Sequence, residues 1–177
     1  NLSLGSPLPI NRNFISPEGA ELDRIQSEYD VVFVVAGTNR PDGQPDGMPI
    51  GAPADSLNSI VVNSVDANRQ AASYHRVGPV LSFFHKPDVS CYGMRVCTPG
   101  GEGYVMGTSF SAPWISRKMA YLICALGFTR EAAKALIVDA SAGWTAIGEV
   151  SPSIGYGIVP KRIEDILQTP NDEIKFV

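Results

Sequence analysis

The run Val31-Val32-Phe33-Val34-Val35-Ala36 is apolar at every position, with no alternation of polar and apolar side chains. A strand of this kind is covered on both faces, the habit of a central parallel strand in an α/β sheet. Ahead of it, Leu22, Ile25 and Tyr29 recur at helical spacing. Ser16-Pro17-Glu18 supplies a capping hydroxyl, a proline for the first helical position and an acid for the first turn. The pattern predicts a helix that starts there and buries the face carrying those three residues. Asn1-Leu2-Ser3-Leu4-Gly5 reads as the end of an earlier strand running into a glycine turn. Strand, loop, helix and strand then form a βαβ unit, a crossover that is right-handed in nearly all cases.

Residues 37–58 are rich in Gly, Pro, Asp and Asn and read as loop, and Ser59–Val65 reads as the next strand. Residues 68–85 are irregular, and Lys86-Pro87-Asp88-Val89 enters a short strand or turn. Beyond the glycine-rich stretch Gly100–Gly107 the period becomes helical. Trp114, Ile115, Met119, Leu122 and Ile123 line a wide apolar face that Gly127 terminates. Thr129 caps another helix running to about Asp139, and Ile163, Ile166 and Leu167 mark a short amphipathic one. The fold class is α/β, a mostly parallel sheet with flanking helices, and residues 1–177 form part of one domain. Because the chain opens in mid-strand, it is expected to be the C-terminal portion of a larger domain whose first strands precede Asn1.

With 44% hydrophobic and 18% charged residues the composition is that of a globular protein. A net charge of -4 and the lack of a Lys/Arg stripe argue against a nucleic-acid partner. No apolar run is long enough to span a bilayer as a helix, and no basic-then-apolar segment opens the sequence, so a cytoplasmic location is expected. The three cysteines, Cys91, Cys97 and Cys124, are expected as free thiols of a reducing compartment, with a Cys91–Cys97 bridge as the alternative. No cofactor is expected, and no acidic loop has the ligand spacing of a calcium site.

The chemistry concentrates in Gly107-Thr108-Ser109-Phe110-Ser111-Ala112-Pro113. A glycine loop delivers Ser109 to the first turn of a long, mostly apolar helix. Free N–H groups and the positive end of the helix dipole lie there, where they would stabilise an oxyanion. A hydroxyl is a weak nucleophile without a base, so this spacing suggests a site without completing one.

That heptapeptide resembles the nucleophile motif of the subtilisin-like serine peptidases, Gly-Thr-Ser-x-[Ala/Ser]-[Ala/Ser]-Pro. Further matches follow in the family's order. Ser3-Leu4-Gly5 resembles the strand that pairs with substrate, and Val35-Ala36-Gly37-Thr38-Asn39 resembles the Ala-Ala-Gly-Asn oxyanion segment. Ala71-Ala72-Ser73-Tyr74-His75-Arg76-Val77-Gly78-Pro79 resembles Ala-Ser-Phe-Ser-x-x-Gly-Pro, and Lys86-Pro87-Asp88-Val89 resembles Lys-Pro-Asp-Val. The resemblance implies Ser109 as nucleophile and Asn39 as oxyanion donor. Thr108 would shape the nucleophile turn, Ser3, Leu4 and Gly5 would form one wall of a peptide groove, and Ala36 and Gly37 one side of the first specificity pocket. Gly37-Thr38-Asn39 is one residue longer than the family's Gly-Asn, so the loop must bulge if Asn39 is to reach the site. The tail from Ile154 to Pro160 and Asp172-Glu173-Ile174 is closer to bacterial intracellular-type members than to secreted ones.

The family's Asp and His, in that order before the Ser, have no counterpart here, and His75 and His85 stand in blocks where it places no catalytic group. The expected partners are therefore a polypeptide substrate and an N-terminal half of the same domain, with edge-strand dimerisation possible if that half is absent. The competing reading is a catalytically inactive, peptide-binding relative. An α/β-hydrolase elbow, Gly-x-Ser-x-Gly, is not matched, because Ser111 stands where its last glycine should be.

Overall fold

The computed structural model describes residues 1–97, 100–101, 103–143 and 150–169. Helix α1 (Pro17–Tyr29) starts as its signals require, with the Ser16 side chain accepting from the Gly19 amide at 3.0 Å. Its buried face differs from the expected one. Tyr29 is 63% exposed, and Gln26 is the buried side chain. Gln26 earns that place by pairing: its Oε1 accepts from the Phe33 amide at 2.9 Å and its Nε2 donates to Ser59 Oγ at 3.1 Å. An apolar residue there would leave that strand-entry amide unsatisfied.

Strand β1 is Val34–Ala36, shorter than the apolar run, since Val31 is exposed and Val32 and Phe33 are only half-buried. Strands β2 (Ile60–Val65) and β3 (Val89–Tyr92) follow as parallel neighbours, Val34 opposite Ile60 and Val62 opposite Val89. Two short strands form a separate antiparallel hairpin, β4 (Val96–Cys97) with β5 (Tyr104–Val105). Strands β6 (Ala142–Gly143) and β7 (Gly157–Ile158) close the main sheet in the order β1-β2-β3-β7-β6, with only the β6–β7 pair antiparallel. Leu2 extends the opposite edge. Its amide donates to Val34 O at 2.8 Å and its carbonyl accepts from the Ala36 amide at 3.0 Å.

Apolar side chains cover both faces of this sheet, as its unalternating strands demand. On one face Val34, Ala36, Ile60, Val62, Val89 and Cys91 pack against helices α2 (Thr108–Ala120), α3 (Arg130–Asp139) and α4 (Glu164–Leu167). On the other, Val35 and Val61 meet Ile50, Ala54 and Val80 with Leu22 of α1. Helix α2 continues into a π-helical turn over Tyr121–Ala125, and Gly127, at φ 76°, ends it through its amide to Ile123 O at 3.1 Å. The buried stripe of α2 runs Ser111, Ala112, Ile115, Met119 and on to Leu122. Trp114 is not part of it, contrary to the expectation. It is 48% exposed, at the margin of the buried face between Ser111 and Lys118.

One buried ion pair lies at the N-terminal ends of the strands. The Lys86 ammonium, wholly buried, donates to Asp88 Oδ2 at 2.6 Å, Ser59 O at 2.7 Å and Leu57 O at 3.3 Å. Burial pushes its pKa down to about 8 against the attraction of Asp88. Asp88 also accepts from the Val61 amide at 2.7 Å. It thus ties the entry of β3 to the start of β2.

Candidate active site

The segments that carry the candidate residues meet at the C-terminal ends of β1, β2 and β3. Leaving β1, Gly37 lies so close to β2 that a Cβ there would sit 2.2 Å from Asn63 Oδ1. Thr38 then takes a left-handed φ of 66°. For a β-branched residue this conformation costs on the order of 1–3 kcal/mol. Two hydrogen bonds offset it: Thr38 Oγ1 donates to Gly37 O at 2.6 Å and accepts from the Gly51 amide at 3.0 Å. This kink accommodates the additional residue of Gly37-Thr38-Asn39 and turns Asn39 over the start of α2.

There Asn39 Oδ1 accepts from both the amide and the hydroxyl of Thr108, each at 3.0 Å, sixty-nine residues along the chain. A backbone N–H can only donate, so this contact identifies the oxygen end of the carboxamide and leaves Nδ2 as the free donor. The residue before the helix, Gly107, has φ 146° and no side chain with which to cap it, so Asn39 supplies the cap from another segment. A Cβ at Gly107 would approach Asn39 Nδ2 to 3.0 Å.

Ser109 follows in the first turn. Its Oγ donates to Ser3 O at 3.3 Å, and Ser3 Oγ donates back to Ser109 O at 3.4 Å. The second bond has a cause in the sequence. Pro113 lies inside α2 and has no N–H, so the Ser109 carbonyl four residues earlier lacks its helical partner and takes the Ser3 hydroxyl instead. Gly5 packs on the Thr38 methyl, which a Cβ would approach to 2.3 Å, while Leu4 is exposed. Ser3, Leu4, Gly5, Asn39, Thr108 and Ser109 thus form one cluster. Ala36 does not join it: it lies in the core beneath α2, and Gly37 is likewise buried. A shallow cavity of about 530 Å³ flanks the strand, bordered by Leu4, Gly5, Ala52, Pro53 and Glu18. A larger one of about 600 Å³ lies at the far end of the sheet beside Asp88, Lys134 and Tyr156, remote from Ser109.

Three residues without a role in the sequence reading hold the site. The Tyr74 hydroxyl donates to Gly93 O at 2.7 Å and accepts from the Gly107 amide at 3.0 Å. Partial burial raises its pKa, so it remains a phenol. Gly93 lets α2 approach β2, since a Cβ there would meet Ser111 Oγ at 2.2 Å and Ser64 Oγ at 2.3 Å. Those two hydroxyls are 2.8 Å apart, and Ser111 donates to Cys91 O at 3.1 Å. Arg76, fully buried, holds the segment after Gly5 through Ser6 O at 2.9 Å and Pro49 O at 2.7 Å. A glycine, a tyrosine and an arginine in irregular stretches carry no local signal of such contacts.

The histidines are engaged elsewhere. His75 Nδ1 lies 2.7 Å from Ala72 O, and His85 packs edge-on against Tyr156 with ring centroids 6.4 Å apart. The cysteines are unbridged, Cys91 buried and Cys97 and Cys124 exposed. Among the described residues no group of three His, Cys, Asp or Glu is placed to hold a metal, and no helix is long and apolar enough to cross a membrane. The segment Asp172-Glu173-Ile174 lies outside the described residues.

A parallel α/β sheet with a serine at the start of a helix above its C-terminal edge defines a hydrolase-like architecture, and comparison with known proteins makes it specific. The chain belongs to the subtilase (Peptidase S8) family, whose model matches residues 1–157. Among solved structures it is similar to the prenylagaramide maturation protease PagA, with a TM-score of 0.70 and 18% identity over 94% of this chain and 60% of that one. It is also similar to MycP1 with its N-terminal propeptide removed, with a TM-score of 0.70 and 19% identity over 97% of this chain and 62% of that one. The PatG macrocyclase in complex with peptide aligns with a TM-score of 0.60 and 15% identity, over 87% and 48% of the two chains. The chain therefore spans about 60% of the length of the first two. No curated protein matches.

Proposed function

We propose that this chain carries the nucleophile and the oxyanion hole of a subtilisin-like serine endopeptidase. Ser109 Oγ attacks the carbonyl carbon of a peptide bond. The Asn39 Nδ2 amide and the Ser109 N–H in the first turn of α2 stabilise the negative charge that develops on the carbonyl oxygen. Collapse of the tetrahedral intermediate breaks the C–N bond, the amine leaves with the proton taken from Ser109, and water then hydrolyses the acyl-enzyme. The Ser3–Gly5 strand is the edge along which the substrate backbone pairs. The observation that supports this reading is the pair of hydrogen bonds from the Thr108 amide and hydroxyl to Asn39 Oδ1, which holds the carboxamide by its oxygen at the residue before Ser109 and leaves Nδ2 to donate.

The proton acceptor is supplied by a polypeptide partner, an N-terminal half of the same domain contributing Asp and His. Without it the triad's contribution is lost, leaving the modest effect of binding and the oxyanion hole, so the 177-residue chain alone is nearly inert. A second reading, an inactive peptide-binding module, draws support from the Ser109 hydroxyl's bond to Ser3 O rather than to any base. In that case the same edge serves peptides or a second copy of the chain. The decisive experiment treats the whole gene product with a fluorophosphonate probe. Labelling at Ser109, abolished in Ser109→Ala, is expected, together with hydrolysis of a casein substrate. Hydrolysis that persists in Ser109→Ala refutes the nucleophile, and binding of peptide with neither labelling nor hydrolysis establishes the module.

A further inference from the structure

We propose that Tyr74 is a positioning residue of this site, a phenolic strut that ties the Asn39 limb to the Ser109 limb; the proposal rests on the peptidase reading above. Its hydroxyl bridges the carbonyl of Gly93 (2.7 Å) and the amide of Gly107 (3.0 Å), the residue just ahead of the nucleophile helix. Gly107 N also reaches Gly93 O at 3.0 Å, so phenol, carbonyl and amide close a triangle. On the other limb the Tyr74 carbonyl accepts from the Arg40 amide at 2.8 Å, next to Asn39, and Arg40 donates a guanidinium N–H to Ser73 O at 2.6 Å. One residue thus holds, by its main chain, the segment that places the oxyanion donor and, by its side chain, the turn that places the nucleophile.

The matching place in the family block quoted above is phenylalanine, whose ring has no atom able to make either hydroxyl bond. The bridge matters because Gly107 has a backbone conformation, φ 146°, that its own turn does not enforce. Small displacements of a nucleophile from its attack geometry cost large factors in rate. Tyr74 touches neither substrate nor the reacting atoms. It acts through Gly107, so its loss affects kcat and leaves KM in place.

The test uses Tyr74→Phe, which removes one oxygen and keeps the ring. In the whole gene product, native-state exchange of the Gly107 amide, left with Gly93 O as its one acceptor, should accelerate by about three- to tenfold. Exchange at Val61 and Val62 in the core should stay unchanged, as should Gly107 exchange in Tyr121→Phe, an exposed phenol remote from the bridge. In the whole gene product, kcat should fall about tenfold with KM within about twofold of wild type. Unchanged exchange at Gly107 overturns the strut. Acceleration shared by Val61 and Val62 marks a general loss of stability and overturns the positioning role, as does a rise in KM at constant kcat. If the whole gene product hydrolyses nothing, the peptidase reading fails, while the exchange measurement still decides whether the strut exists.

Discussion

Aspartate and alanine at position 39 separate two tasks that the Asn39 carboxamide combines. Its oxygen accepts two hydrogen bonds from Thr108 at 3.0 Å and so caps α2. Its nitrogen is the proposed oxyanion donor. Asn39→Ala removes both. Loss of a cap costs about 0.5–2 kcal/mol, which for a chain of this size lowers Tm by about 2–4 °C per kcal/mol. Asn39→Asp retains an acceptor for both Thr108 donors. It also brings a negative charge to the positive end of α2, worth about 0.3–1 kcal/mol before salt screening at this exposed position. Its Tm should equal or exceed that of the wild type. Catalysis should respond differently. Both variants lack the donor, a loss of about 10²–10³ in kcat in enzymes of this very family. Aspartate should be the worse of the two, because its charge opposes the developing oxyanion. Calorimetry on the 177-residue chain and steady-state kinetics on the whole gene product provide the two readouts. Equal Tm losses in both variants would refute the capping argument. A kcat in Asn39→Ala within a few-fold of wild type would refute the oxyanion assignment.

Lys86→Met should destabilise the fold at pH 7, as read from urea denaturation, by less than the ~3–5 kcal/mol of a lone buried pair, because Lys134 Nζ still lies 3.4 Å from Asp88 Oδ1. The wild type should also gain stability, on the order of 3 kcal/mol, as pH rises from about 8 to 10.5. Over that window the unfolded lysine still holds a proton that the folded one, with its lowered pKa, has released. Lys86→Met should lack this gain, and a parallel pH dependence in both proteins would contradict the assignment. Gly93→Ala should cost about 1–3 kcal/mol, because its Cβ would intrude on Ser64 and Ser111 at 2.2–2.3 Å. A melting temperature equal to wild type would show that α2 can move aside.

Much of the fold was legible locally. Ser16-Pro17 and Thr129 start their helices, and Gly127 ends α2 in the left-handed conformation that glycine adopts without strain. The unalternating strands announced a sheet covered on both faces. Errors arose where tertiary partners decided. Gln26 is buried in place of Tyr29 because two other segments present it with a donor and an acceptor. Trp114, at the margin of the buried face of α2, is exposed because no neighbouring element among the described residues covers that margin, which the apolar pattern cannot foretell.

The sequence alone determined the helices, the strands β1 to β3, their order and the position of Ser109 at the start of α2, since propensity, capping and period act over a few residues; the two-residue strands β4 to β7 were not legible in it. It also carried the family motifs. Only the tertiary structure decided that Asn39 caps the helix of Ser109, that Thr38 bends to allow it and that Ala36 lies below the site rather than beside it. Tyr74 bridging two loops and Lys86 sharing a buried cage with Asp88 and two carbonyls belong to the same category. Such contacts join segments distant along the chain, and a hydrogen bond between them depends on distances of tenths of an ångström that packing sets and no local pattern encodes.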